Sequence, residues 1–167
     1  MSVQAKRRAD YQPPAFSIAT VDLHITLHPT QTKVISTLSV TRNGAHDSPL
    51  VLDGDNLSLD SISINGTHLS DNEYTLTDSA LSVVTELDEF VLEITNTIAP
   101  EHNKALEGLY LSGGAYCTQC EAEGFRRITY FMDRPDVLSV YTVTVVADKS
   151  VPMLLANGNP VDKGEVD

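Results

Sequence analysis

Val21-Asp22-Leu23-His24-Ile25-Thr26-Leu27-His28 alternates apolar and polar residues without a break. In an extended chain successive side chains point to opposite faces. Val21, Leu23, Ile25 and Leu27 therefore share one face, and Asp22, His24, Thr26 and His28 share the other. This is the pattern of a half-buried strand, and it reaches back to Phe16. Pro29-Thr30-Gln31 supplies a turn. Residues 32–42 then repeat the pattern, with Val34, Ser36, Leu38 and Val40 on one side and Ile35 on the other. Asn43-Gly44 closes that strand with a strong turn signal.

Short strands are predicted onward at 50–52, 57–64, 74–76, 80–84 and 90–98, punctuated by Asp53-Gly54, Asn65-Gly66 and Asp78-Ser79. No window between 16 and 98 sustains a helical period. Closely spaced strands of this kind predict an all-β, mostly antiparallel domain, a sandwich or an open curved sheet. Residues 136–147, dense in Val, Thr and Tyr, add another strand, and 132–136 is expected to form one helical turn with Pro135 near its start. Before the first strand, 1–15 reads as an extended leading segment ending in Pro13-Pro14. At the other end, Met153-Leu154-Leu155-Ala156 is expected to be a strand and Asn157-Gly158-Asn159 a turn. The return arm would then stop at Asp167, an unpaired edge suggesting a boundary inside a longer protein.

A chain of 167 residues suits a single domain over 1–167. Asp and Glu outnumber Lys and Arg by 23 to 11, giving a net charge of −12. That balance argues against nucleic acid and anionic membrane surfaces, which select basic partners. No apolar run approaches the roughly 20 residues that span a bilayer. The charged start, Met1 to Arg8, has no apolar stretch behind it, which predicts a cytoplasmic protein with reduced cysteines.

The alternation fails at Tyr116-Cys117-Thr118-Gln119-Cys120-Glu121-Ala122-Glu123-Gly124-Phe125-Arg126-Arg127. Cys117 and Cys120 have the spacing of a redox pair or half a zinc site. Neither a second ligand pair nor a βαβ setting accompanies them, so two small, partly buried thiols are the preferred reading. His24 and His28 are four apart, but on a strand their imidazoles would be about 13 Å apart, too far to share an ion. If the segment is extended, Gln119, Glu121 and Glu123 share one face. Such a face suits an ammonium group, a donor of three hydrogen bonds. The alternative is an internal ion-pair network with Arg126 and Arg127. A free-standing binding module also remains compatible with these residues.

Three runs carry a resemblance: 105–110 (Ala-Leu-Glu-Gly-Leu-Tyr), 117–126 around Thr118-Gln119-Cys120-Glu121, and 130–137 around Asp133-Arg134-Pro135. Together with 8–14 and 154–159 they resemble the N-terminal domain of the aminopeptidase N family, zinc-dependent peptidases of the gluzincin class. The resemblance implies a saddle-shaped, mostly antiparallel β domain that packs on a thermolysin-like catalytic domain of the same chain. It also implies a peptide N-terminus as ligand. Glu121 matches the family's glutamate that binds the substrate's α-amino group, and Gln119 the glutamine lining the first side-chain pocket. The zinc of the full-length enzymes is implied as cofactor. Its His-Glu-x-x-His ligands do not occur here, so this chain is expected to hold no catalytic residue or metal and to be inactive alone.

Overall fold

The computed structural model describes residues 7–166. The charged start at 1–6 and the last residue, on which part of the sequence reading falls, lie outside the described residues. The strands, in chain order, are β1 (Phe16–Thr26), β2 (Thr32–Arg42), β3 (Leu50–Asp53), β4 (Ser58–Ile64), β5 (Thr67–His68), β6 (Tyr74–Leu76), β7 (Ala80–Val83), β8 (Glu89–Ile98), β9 (Gly108–Ser112), β10 (Ala115–Gln119) and β11 (Val140–Val146). Among the described residues only 3-10 turns interrupt them, and no helix is long and apolar enough to cross a membrane. Within the leading segment the described part holds one such turn, Arg8–Asp10, flanked by extended backbone at Arg7 and Tyr11.

The strands form three sheets. Six run in the order β11-β1-β2-β8-β4-β5, three in the order β3-β7-β6, and β9 pairs with β10. Every pairing is antiparallel except β1 with β11. The three long central strands, β1, β2 and β8, are those with the cleanest alternation, because each has neighbours on both sides and one face on the core. In β1 the buried set changes parity. Phe16 and Ile18 are buried, then Val21, Leu23 and Ile25. A bulge between Ile18 and Thr20 absorbs the extra residue and keeps both halves facing inward. The far edge, β5, is two residues long, which limits its exposed ladder.

Leu38, Leu92 and Ile94 of the large sheet and Leu50, Leu52, Leu81 and Val83 of the small one are fully buried in one continuous core. Burying each such side chain contributes about 1.5–3 kcal/mol. An irregular segment, 128–132, joins the two sheets, and all five of its residues are buried. Asn96 on β8 donates to the carbonyl of Ile128 at 3.0 Å, and Phe131 exchanges backbone hydrogen bonds of 2.8 and 3.1 Å with Asp53 at the end of β3. Gly54 leaves room for the Tyr130 ring, which a Cβ there would meet at 2.4 Å.

Several expectations are corrected. Residues 153–156 form no strand. Met153 is 70% and Leu155 85% exposed, and among the described residues no strand pairs with this stretch to satisfy its backbone as a ladder would. Residues 132–136 make no helical turn. Pro135 instead sits inside a turn closed by the Val137 N–H donating to the Arg134 carbonyl at 3.2 Å. Asn43-Gly44 turns the chain but makes no hairpin, because the next strand, β3, pairs with β7. Asn65-Gly66 does make one, with φ of 50° and 78°, the left-handed pair a tight hairpin needs.

Candidate functional site

β9 and β10 form a hairpin whose tip is Gly113-Gly114, with φ of 58° and 84°. Both values suit glycine and match the twist of a two-residue hairpin loop. Gln119 closes β10 opposite Gly108. The chain then leaves the ladder. The Gly124 N–H donates to the Cys120 carbonyl at 2.9 Å, closing a turn over 120–124, and the 3-10 turn Phe125–Arg127 follows. The Glu121–Ala122 peptide bond within the turn is cis.

Two glycines allow this turn to lie against the hairpin base. A Cβ on Gly124 would sit 2.3 Å from the Gln119 carbonyl oxygen and 2.8 Å from Cys120 Cα, and one on Gly108 would sit 2.5 Å from Arg127 Cβ. These are backbone approaches only glycine permits. The single extended face expected for Gln119, Glu121 and Glu123 therefore does not form. Gln119 is on the strand, whereas Glu121 and Glu123 are in the turn, because the close packing at Gly124 folds the chain back.

The turn separates the acidic side chains. Glu123 lies 3.7 Å from Arg126 Nη2. Arg126 also faces Asp53 at 3.6 Å and Asp133 at 3.0 Å. Burial works against the Arg126 charge, but the hydrogen bond to Asp133 and the charges of Asp53, Asp133 and Glu123 outweigh it and hold its pKa above the ordinary value. Arg127 pairs with Asp55 at 2.5 Å and Glu107 at 3.4 Å. Glu121 is exposed, and among the described residues no ion pair includes it. Gln119 is exposed beside it and donates through Nε2 to the Glu121 backbone carbonyl at 3.1 Å. That contact leaves the Glu121 carboxylate untouched. The two readings of the acidic face are thus divided: Glu123 belongs to the arginine network, and Glu121 stands outside it.

Asp53, Asp55, Glu107 and Asp133 take part in this site; the sequence reading quoted Glu107 and Asp133 in the runs of resemblance but gave none of the four a role. Asp53 and Asp55 flank Gly54 and look like turn punctuation, and nothing local shows that the turn faces two arginines. Cys117 and Cys120 are free thiols. Burial, with the nearby Asp133 charge, pushes the Cys120 thiol up, away from the reactive thiolate range. Among the described residues no trio of His, Cys, Asp or Glu could hold a metal ion. His28 caps the β1–β2 turn, its Nδ1 accepting from the Thr30 and Gln31 backbone at 3.3 and 3.2 Å.

With the geometry in view, comparison with known proteins places the chain. Residues 11–167 match the Peptidase M1 N-terminal domain. Over 98% of its length the chain is 53% identical to aminopeptidase N of Caulobacter vibrioides and 46% identical to aminopeptidase N of Escherichia coli. It spans 19% of the length of each of those relatives. A crystal structure of Legionella pneumophila aminopeptidase A in complex with aspartic acid superposes with a TM-score of 0.88 at 35% identity, covering 96% of this chain and 19% of that one. The chain belongs to the family of peptidase M1 N-terminal domains.

Proposed function

We propose that this chain is the first domain of a cytoplasmic zinc-dependent aminopeptidase, in which Glu121 receives the α-ammonium group of a peptide and Gln119 borders its first side chain. The observation carrying this reading is the isolation of Glu121. Around the turn, Glu107, Glu123, Asp53, Asp55 and Asp133 each face an arginine, and Glu121 faces solvent. A lone carboxylate beside an amide is a fitting receptor for a compact cation with three donors.

Such an anchor makes an enzyme count from the amino terminus. Pairing with the ammonium fixes the distance from the first residue to the bond that is cut. An internal peptide segment has no charge to offer and would leave the carboxylate desolvated and unpaired. Among the described residues no trio of His, Cys, Asp or Glu could hold zinc; on this reading the chain's share is recognition, and the metal and the cutting groups belong to a catalytic domain of the same polypeptide. The test is Glu121→Gln in the full-length enzyme. It is expected to lower kcat/KM on peptides by ~10²-fold, as the loss of a desolvated charged contact does. Unaltered kinetics would remove Glu121 from this role.

A further inference from the structure

Arg126 is the most heavily engaged side chain near the turn, and amine recognition leaves it without a stated task. Its Nε donates to Asp133 Oδ2 at 3.0 Å and its Nη2 to the Asp133 carbonyl at 3.0 Å, while its own backbone N–H donates to the same Oδ2 at 3.1 Å. Nη1 lies 3.6 Å from Asp53 Oδ1 and Nη2 3.7 Å from Glu123 Oε2. Asp133 is itself held, its N–H donating to Asp53 Oδ2 at 3.1 Å, and the Arg126 carbonyl accepts from Asp55 N–H at 2.9 Å. The Arg126 side chain is 23% exposed and that of Asp133 11%.

We infer that Arg126 is a positioning residue for the ammonium anchor: it moors the 120–124 turn to the end of β3 and holds Glu123 aside, so that Glu121 alone is presented to the substrate. The inference rests on the proposed role of Glu121.

Two physical points carry it. First, Arg126 ties the chain just after the turn to Asp133 and Asp53, and the planar guanidinium fork on Asp133 fixes direction as well as distance, which a flexible lysine would not. A carboxylate that must grip a peptide's ammonium at one place needs that rigidity, because a loosely held contact loses binding. Second, Glu123 is two residues from Glu121 on the same short turn, and without a cation it would be a second acceptor for the same ammonium. Arg126, 3.7 Å away, draws Glu123 toward the arginine side of the turn and lessens the ambiguity.

The experiment is a double-mutant cycle in the full-length enzyme with Arg126→Gln and Glu121→Gln, read as KM and kcat on a short peptide. Arg126→Gln is expected to raise KM by about tenfold with kcat changed by less than about threefold, the scale of a displaced contact. In the Glu121→Gln background the same change is expected to alter KM by less than about twofold, since it acts through a group no longer there. Equal costs in both backgrounds would mean general damage and would overturn the inference, as would an unchanged KM in Arg126→Gln. Should Arg126→Gln not fold, Asp133→Asn, which leaves the arginine in place, goes through the same cycle with the same readings. If Glu121→Gln is itself without effect, the anchor reading fails and this inference with it. If Glu121→Gln is costly and Arg126→Gln is not, only this inference fails.

Discussion

The hydroxyls of Ser36 and Thr129 meet 3.0 Å apart where neither residue reaches solvent. The contact fastens the buried segment 128–132 to the middle of the large sheet. Thr129→Val keeps the shape and strands the Ser36 hydroxyl. It is expected to cost ~1–3 kcal/mol, lowering Tm by several degrees. The double variant with Ser36→Ala is expected to cost less than the two single costs combined. Chemical denaturation midpoints of the four proteins check this.

Leu92 is fully buried on β8, whereas Leu155 is 85% exposed in the C-terminal stretch. Leu92→Ala is expected to destabilise by ~2–5 kcal/mol, because the methyl groups it removes leave a cavity in a packed interior. Leu155→Ala is expected to change stability by no more than ~0.5 kcal/mol. A comparable loss at Leu155 would show that 153–156 is packed after all.

Gly124 and Gly113 separate close packing from backbone conformation. Alanine at 124 would press on the Gln119 carbonyl and Cys120 Cα and force the turn open. At 113 nothing lies within 4 Å, and the cost is only that of a left-handed φ of 58°, about 1–2 kcal/mol. In the full-length enzyme Gly124→Ala is expected to lower kcat/KM by tenfold or more, as a misplaced anchor would. Gly113→Ala is expected to leave it within about twofold. Steady-state kinetics on one peptide decide between them.

Asp136 gives a pH dependence. The hydrogen bond from Arg134, with those from Tyr11 and the Arg134 charge, lowers its pKa from 3.8 to about 2 against a smaller burial effect. A carboxyl whose folded pKa is depressed stabilises the fold above its unfolded pKa and loses that contribution as pH falls through the folded one. The stability difference between the native chain and Asp136→Asn should hold steady above about pH 5 and shrink between about pH 4 and 2. Denaturant titrations across that range check it, and a difference independent of pH would count against the pairing.

The Cys120 thiol, raised by burial, is expected to alkylate more slowly at pH 8 than a free cysteine, because the thiolate is the reacting form. Mass-resolved iodoacetamide labelling measures the rate. Rapid labelling of Cys120 would revive the redox reading of the Cys117–Cys120 pair.

Where side chains alternate against one core face, the sequence was enough. β1, β2 and β8 fall where the periodicity puts them, and Val21, Leu23, Val34 and Leu38 are inside. The rest depends on partners distant in sequence. Nothing local in Ile128-Thr129-Tyr130-Phe131-Met132 shows that its backbone pairs with Asp53 and its hydroxyl with Ser36. At the site, the motif singles out Glu121 as a candidate, but its separation from the ion pairs around it was not legible. That isolation follows from Asp53, Asp55 and Asp133 arriving from other elements to occupy the arginines.

The parallel pairing of β11 with β1 has a consequence for biogenesis. Thr20 lies in register with Val140, so β1 waits for a strand about 120 residues further along the chain before its outer ladder is filled. Until then one edge of the nascent sheet stays open to other strands. Pairing so far apart in sequence is slow to form. A chaperone that covers β1 during translation would guard the domain at its most vulnerable moment.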